Sequence, residues 1–163
     1  MRRFLTLSCA LAALNLAVPA LAQNAPSPAP TPGEVLGAAS DAMLEITMTA
    51  GNAQQQIAVA VTGRLDALAD DGASDERLAV VAHRGVSAIR DVAGAARSAL
   101  NGAAARAAGL LEAIGAPDVF FHNLRDLRAA AGERLRHSTR ERSRAVLAKL
   151  RELVGEDDPA AAL

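Results

Sequence analysis

The chain of 163 residues has no tryptophan, no tyrosine and only three phenylalanines, so aromatics make up 2% of it. Aromatic side chains dominate most cores, sugar sites and interface hot spots, and a conventional aromatic-lined cleft is therefore not expected. A single cysteine, Cys9, excludes a disulfide framework. After Pro32 the only prolines are Pro117 and Pro159, which leaves two long intervals where nothing obliges a helix to stop. What is present is an apolar chain with nearly balanced charge: 51% hydrophobic, 21% charged, formal net charge -1. That composition fits one folded domain and not a disordered segment.

The N-terminus reads as an export signal. Arg2 and Arg3 precede an apolar run from Phe4 to Val18, followed by Pro19 and the triplet Ala20, Leu21, Ala22. This is the pattern of a Sec-type secretory signal cut after Ala22, and it predicts a periplasmic or secreted protein. A twin-arginine signal is disfavoured because Phe4 follows the arginine pair directly. A lipoprotein signal is disfavoured because Thr6, not leucine, stands three residues before Cys9. An uncleaved anchor is the alternative, since residues 4–22 are about long enough to cross a thin bilayer; Pro19 and the cleavage triplet weigh against it. Removal takes Cys9 away and leaves 15 basic against 18 acidic side chains, 14 of the 15 being arginine. No membrane span is expected in the mature chain.

Residues 23–32, QNAPSPAPTP, carry four prolines and read as an extended linker. A helical domain over residues 33–155 follows, and the acidic residues 156–163 are expected to fray. The first helix is predicted over 32–70. Thr31, Pro32 and Glu34 form a capping box with proline at the first helical position, and one stripe runs through Leu36, Ala39, Met43, Ile46, Ala50, Ala53, Ile57, Val61, Leu65 and Leu68. Gly51 and Asn52 mark a place where this helix can kink. The second is predicted over 75–114 from a Ser74 cap, with its stripe ending in Leu110 and Ile114. A neighbouring row of small residues, Ala88, Ala95, Gly102 and Gly109, suggests that this helix sits between the other two. The third is predicted over 118–154, with apolar ends around a polar centre. Near-equal lengths joined by short turns predict an all-α fold, an Ala-rich elongated antiparallel three-helix bundle or hairpin array.

Chemistry is sparse. Asp118, His122 and Asp126 share one helix face, as do Glu133, His137 and Glu141, and either trio offers ligands to a divalent metal. Ordinary solvated ion pairs are the favoured reading, because metal sites in bundles draw ligands from several helices and face the core. No glycine elbow surrounds any serine, Ser138 beside His137 is mere adjacency, and no phosphate-binding loop follows a strand. No catalysis and no cofactor are expected.

Charge, in contrast, is uneven. Residues 125–151 carry 9 basic and 3 acidic side chains, whereas residues 23–124 carry 6 and 11. Arg134, Arg136, Arg140, Arg142 and Arg144 form the densest stretch and suit an anionic membrane or envelope polymer. The favoured alternative is internal pairing with the acidic first and second helices. Nucleic acid is disfavoured, since no aromatics interleave the arginines for base stacking. Of the adjacent Phe120 and Phe121, the first fits the apolar stripe. The second is a candidate contact at the bundle tip, but the favoured reading is a core-edge residue that covers the turn before it. The leading expectation is an exported, non-enzymatic helical protein that acts by binding another protein or itself. Anionic-surface binding comes second and weak metal binding third.

Overall fold

The computed structural model describes residues 29–155, and its three elements are helices: α1, Pro32–Asp70; α2, Asp75–Ala113; α3, Asp118–Val154. The export signal, residues 23–28 of the linker and the tail 156–163 lie outside the described residues.

Local chemistry sets the helix ends. The Thr31 backbone N–H donates to the Glu34 carboxylate at 2.7 Å, and the Glu34 N–H donates to the Thr31 hydroxyl at 3.3 Å, which completes the capping box. The bonds from the Thr31 backbone and then its hydroxyl hold the Glu34 carboxyl below its ordinary pKa. Both interhelical turns use one device. Gly72 at φ 71° and Gly115 at φ 64° adopt the left-handed conformation that a side chain disfavours. The N–H groups of Ala73 and Ala116 then reach back to the carbonyls of Leu68 and Leu111, each at 2.9 Å, closing Schellman motifs. Ser74 holds the cap position of α2 but makes no side-chain cap bond, so Asp75 and Glu76 supply the favourable charge in that first turn. α1 runs unbroken through Gly51.

Each helix packs against both others, so the bundle is closed and the open hairpin array does not form. One apolar cluster joins Val35 to Ala50 of α1, Ala93 to Leu111 of α2 and Leu124 to Leu135 of α3. A second joins Ala58 to Leu68, Leu78 to Ile89, and Val146. These memberships fix an up-down-up arrangement about 55 to 58 Å long at 1.5 Å per residue. Because the bundle is closed, α2 is not sandwiched between the others. Its seam runs Ala82, Val86, Ile89, Ala93, Ala96, Leu100, Ala103, Ala107, with steps alternating between four and three as in a coiled coil. At the C-terminal end the alternation breaks with a second consecutive step of four, from Ala107 to Leu111, so Leu111 enters the core while Leu110 is 51% exposed; Ala95 and Gly109 face solvent instead of forming a second buried row.

Between the two clusters lies a polar layer. Gln54 of α1 is fully buried, in a place where the apolar stripe predicts Ala53. Its amide nitrogen donates to the Ile89 carbonyl of α2 at 3.3 Å and to the Thr139 hydroxyl of α3 at 2.9 Å, while Ser138 donates to its oxygen at 2.8 Å. Thr139 in turn donates to the Leu135 carbonyl at 2.7 Å. One side chain thus ties three helices together, and a slip of any helix would leave its carboxamide buried and unpaired. A short distance along, α1 and α2 approach so closely at Gly85 that an added Cβ would lie 2.6 and 2.8 Å from the γ carbons of Val61.

Two stability outcomes follow. Gln54→Ala leaves the half-buried Ser138 hydroxyl without its acceptor and Thr139 without its donor, and lowers unfolding free energy in urea by about 1–3 kcal/mol. Replacing the set together, with Gln54→Leu, Ser138→Ala and Thr139→Val, costs less than that single change because no polar group is stranded. Gly85→Ala lowers the melting temperature despite a helix-propensity gain of about 1 kcal/mol, since the β-branched Val61 is stiff. Gly94→Ala, with open space around the added carbon, raises it.

Candidate functional site

The register set by the polar layer decides what the charged residues of α3 meet. Its middle faces the middle of α1, where residues 46–63 carry no charge at all. It also faces a part of α2 whose acidic content is Asp91 alone, beside Arg90 and Arg97. The internal pairing favoured from the sequence is therefore largely absent. Among the described residues one ion pair joins two helices: Lys149 lies 2.8 Å from Asp66 and also 2.9 Å from Glu152 of its own helix. Hydrogen bonds to these two carboxylates, Asp66 foremost, push the Lys149 ammonium above its ordinary pKa. Arg136 pairs with Glu133 within α3, and its hydrogen bond and charge hold that carboxyl below the usual range.

Arg134, Arg140 and Arg144 are exposed and make no ion pair among the described residues. Arg142 differs from them. It sits in the seam Leu135, Thr139, Arg142, Val146, is half-buried, and its Nε has no partner. Its 3.4 Å contact with Glu141 keeps the terminal nitrogens at the rim. It belongs to the polar layer more than to an outward basic surface.

The histidine trios remain exposed. His122 Nδ1 is 3.0 Å from the Asp118 backbone carbonyl, so the ring turns toward its own helix. Glu133 is taken by Arg136, and Glu141 leans to Arg142. Among the described residues no group of three or more His, Cys, Asp or Glu side chains is arranged to hold a metal ion. Phe121, like Phe120, is half-buried against the larger apolar cluster, the core-edge position favoured from the sequence over an exposed tip contact.

Two surfaces stand out that the residue patterns did not single out. The first is a groove between α2 and α3. A part of about 250 Å³ is lined by Arg97, Arg125, Arg128 and Arg136 over Leu100 and Gly132. It continues into a mostly apolar part of about 460 Å³ over Ala104, Ala108, Phe121 and Leu124, and Asn101, Arg125 and Arg128 line both. Arg128 Nε donates to Asn101 at 2.9 Å. Arg97, Arg125 and Arg128 make no ion pair among the described residues. The sequence carried a faint signal for this groove, in the arginines flanking Leu124 and Leu127, but the contribution of α2 needs the register.

The second surface is the outer face of α1. Leu44, Met48 and Val59 are 46%, 59% and 58% exposed; the exposed residues between Met48 and Val59 are threonine, asparagine and glutamine, while Asp41 and Glu45 lie beside Leu44. Despite its lack of charge, the stretch 46–63 includes Asn52 and three glutamines, and no helix among the described residues is long and apolar enough to cross a membrane. No protein family, curated protein or solved structure matches this chain.

Proposed function

We propose that the chain is exported and works without catalysis, as an elongated Ala-rich rod that binds another protein or a second copy of itself through the outer face of α1. The observation that carries this reading is the run of 18 residues, 46–63, with no charge on an exposed helix that also presents Met48 and Val59. Solvated helix faces normally carry charges, and a neutral face with large exposed side chains loses little when covered. In light scattering coupled to size exclusion, the chain without residues 1–22 then runs as a dimer or larger, or cross-linking in exporting cells captures one partner. Met48→Glu with Val59→Glu abolishes either association while leaving helicity unchanged. A protein that stays monomeric at high concentration and cross-links to nothing is incompatible with the reading.

The unpaired Arg134, Arg140 and Arg144 favour a second reading, peripheral binding of α3 to an anionic membrane or envelope polymer. Flotation with phosphatidylglycerol vesicles should then occur at low salt, weaken at high salt and fail when the three arginines become glutamine. Binding that ignores salt argues against it.

A further inference from the structure

We infer that the α2–α3 groove is a binding site for a single phosphate-headed amphiphile, its head held by Arg97, Arg125, Arg128 and Arg136 and its apolar part lying over Ala104, Ala108, Phe121 and Leu124. Both halves of that description come from the lining. Four arginines line one part of the groove, and three of them make no ion pair among the described residues, although Arg125 also borders a recess with Glu112 and Asp118. Guanidinium presents paired donors that match phosphate oxygens, so this part selects a compact anion.

Arg128 is already positioned. Its Nε is engaged by Asn101, which leaves both terminal nitrogens for a ligand and reduces the ordering cost of binding. Arg125 and Arg136 are about 16 Å apart along α3 at 1.5 Å per residue, with Arg128 between them and Arg97 opposite on α2. The adjoining part is larger and mostly apolar, and Arg125 and Arg128 belong to both, so head and tail sites are continuous. The one carboxylate lining the apolar part is Glu112, near the turn into α3. A free inorganic anion would leave that apolar floor unused. A neutral lipid would leave the arginines unpaired. The amphiphile uses both.

This site shares with the second reading above only the availability of arginines on α3, and it uses a different set. The probe is dihexanoyl phosphatidic acid below its micelle concentration, titrated into the protein by calorimetry. Dihexanoyl phosphatidylcholine and inorganic phosphate are titrated in parallel. Expected is saturable binding of the phosphatidic acid, with the other two at least tenfold weaker. Arg125→Gln with Arg128→Gln lowers the affinity roughly tenfold or more, the scale of losing one charged hydrogen bond. Arg64→Gln with Arg77→Gln, outside the groove, leaves it unchanged. Ala104→Glu with Ala108→Glu, which puts carboxylates on the apolar floor, weakens it as well. Equal binding of inorganic phosphate or of phosphatidylcholine overturns the inference, as does no binding of the phosphatidic acid. Vesicle flotation that survives Arg125→Gln with Arg128→Gln, in a protein blind to the soluble lipid, sinks the groove and leaves the α3 surface reading intact.

Discussion

The carboxamide of Gln54 is the contact on which the arrangement depends. Apolar stripes of alanine are poor at specifying how far one helix slides along another, because small smooth side chains interlock weakly. A buried amide bonded to a carbonyl of α2 and to two hydroxyls of α3 has one position in which all its partners are met. Buried polar groups of this kind serve as register devices in coiled coils, and the same logic applies here. Once the register is set, the charge-free middle of α1 lies beside the arginine-rich middle of α3. The basic residues then have few acids to meet, and they remain at the surface.

The alanine content explains the shape in the same terms. Burying alanine removes little area from water, at roughly 25 cal/mol per Å², so the core gains less per residue than one built of leucine. Alanine is also the best helix former, which makes long uninterrupted helices the natural form for such a chain. Small side chains let helices approach closely, and the limit is reached where Gly85 meets Val61. Larger buried residues are spaced along the rod, with Leu65, Leu68 and Leu78 toward one end, Ile89, Leu100 and Leu135 near the middle and Leu111 and Leu124 toward the other end.

Most of the secondary structure was legible in the sequence because its signals are local. Thr31, Pro32 and Glu34 mark one helix start, and Gly72 and Gly115 mark two ends, through backbone preferences that need no tertiary partner. The choice of face was less legible. Leu110 and Leu111 are equally apolar; continued four-three alternation from Ala107 selects Leu110, and only the packing against the other helices, where that rhythm breaks, buries Leu111. Gln54 was hidden because a glutamine in a helix ordinarily faces water. Its partners Ser138 and Thr139 lie more than 80 residues away, inside a stretch that reads as a polar centre. The arginine groove was hidden for a related reason: Arg97 and Arg125 become neighbours through antiparallel packing, and neither is unusual alone.

The division of the interior into two apolar clusters has a mechanical meaning. Opening near a polar layer exposes less hydrocarbon than opening through continuous packing, and local unfolding follows such seams. The arginine groove lies over the cluster that includes Leu100 and Leu124, and the Lys149 to Asp66 clasp lies beside the other. A filling interrupted in this way divides the hydrocarbon between the two halves of the rod, and the groove borders only one of them.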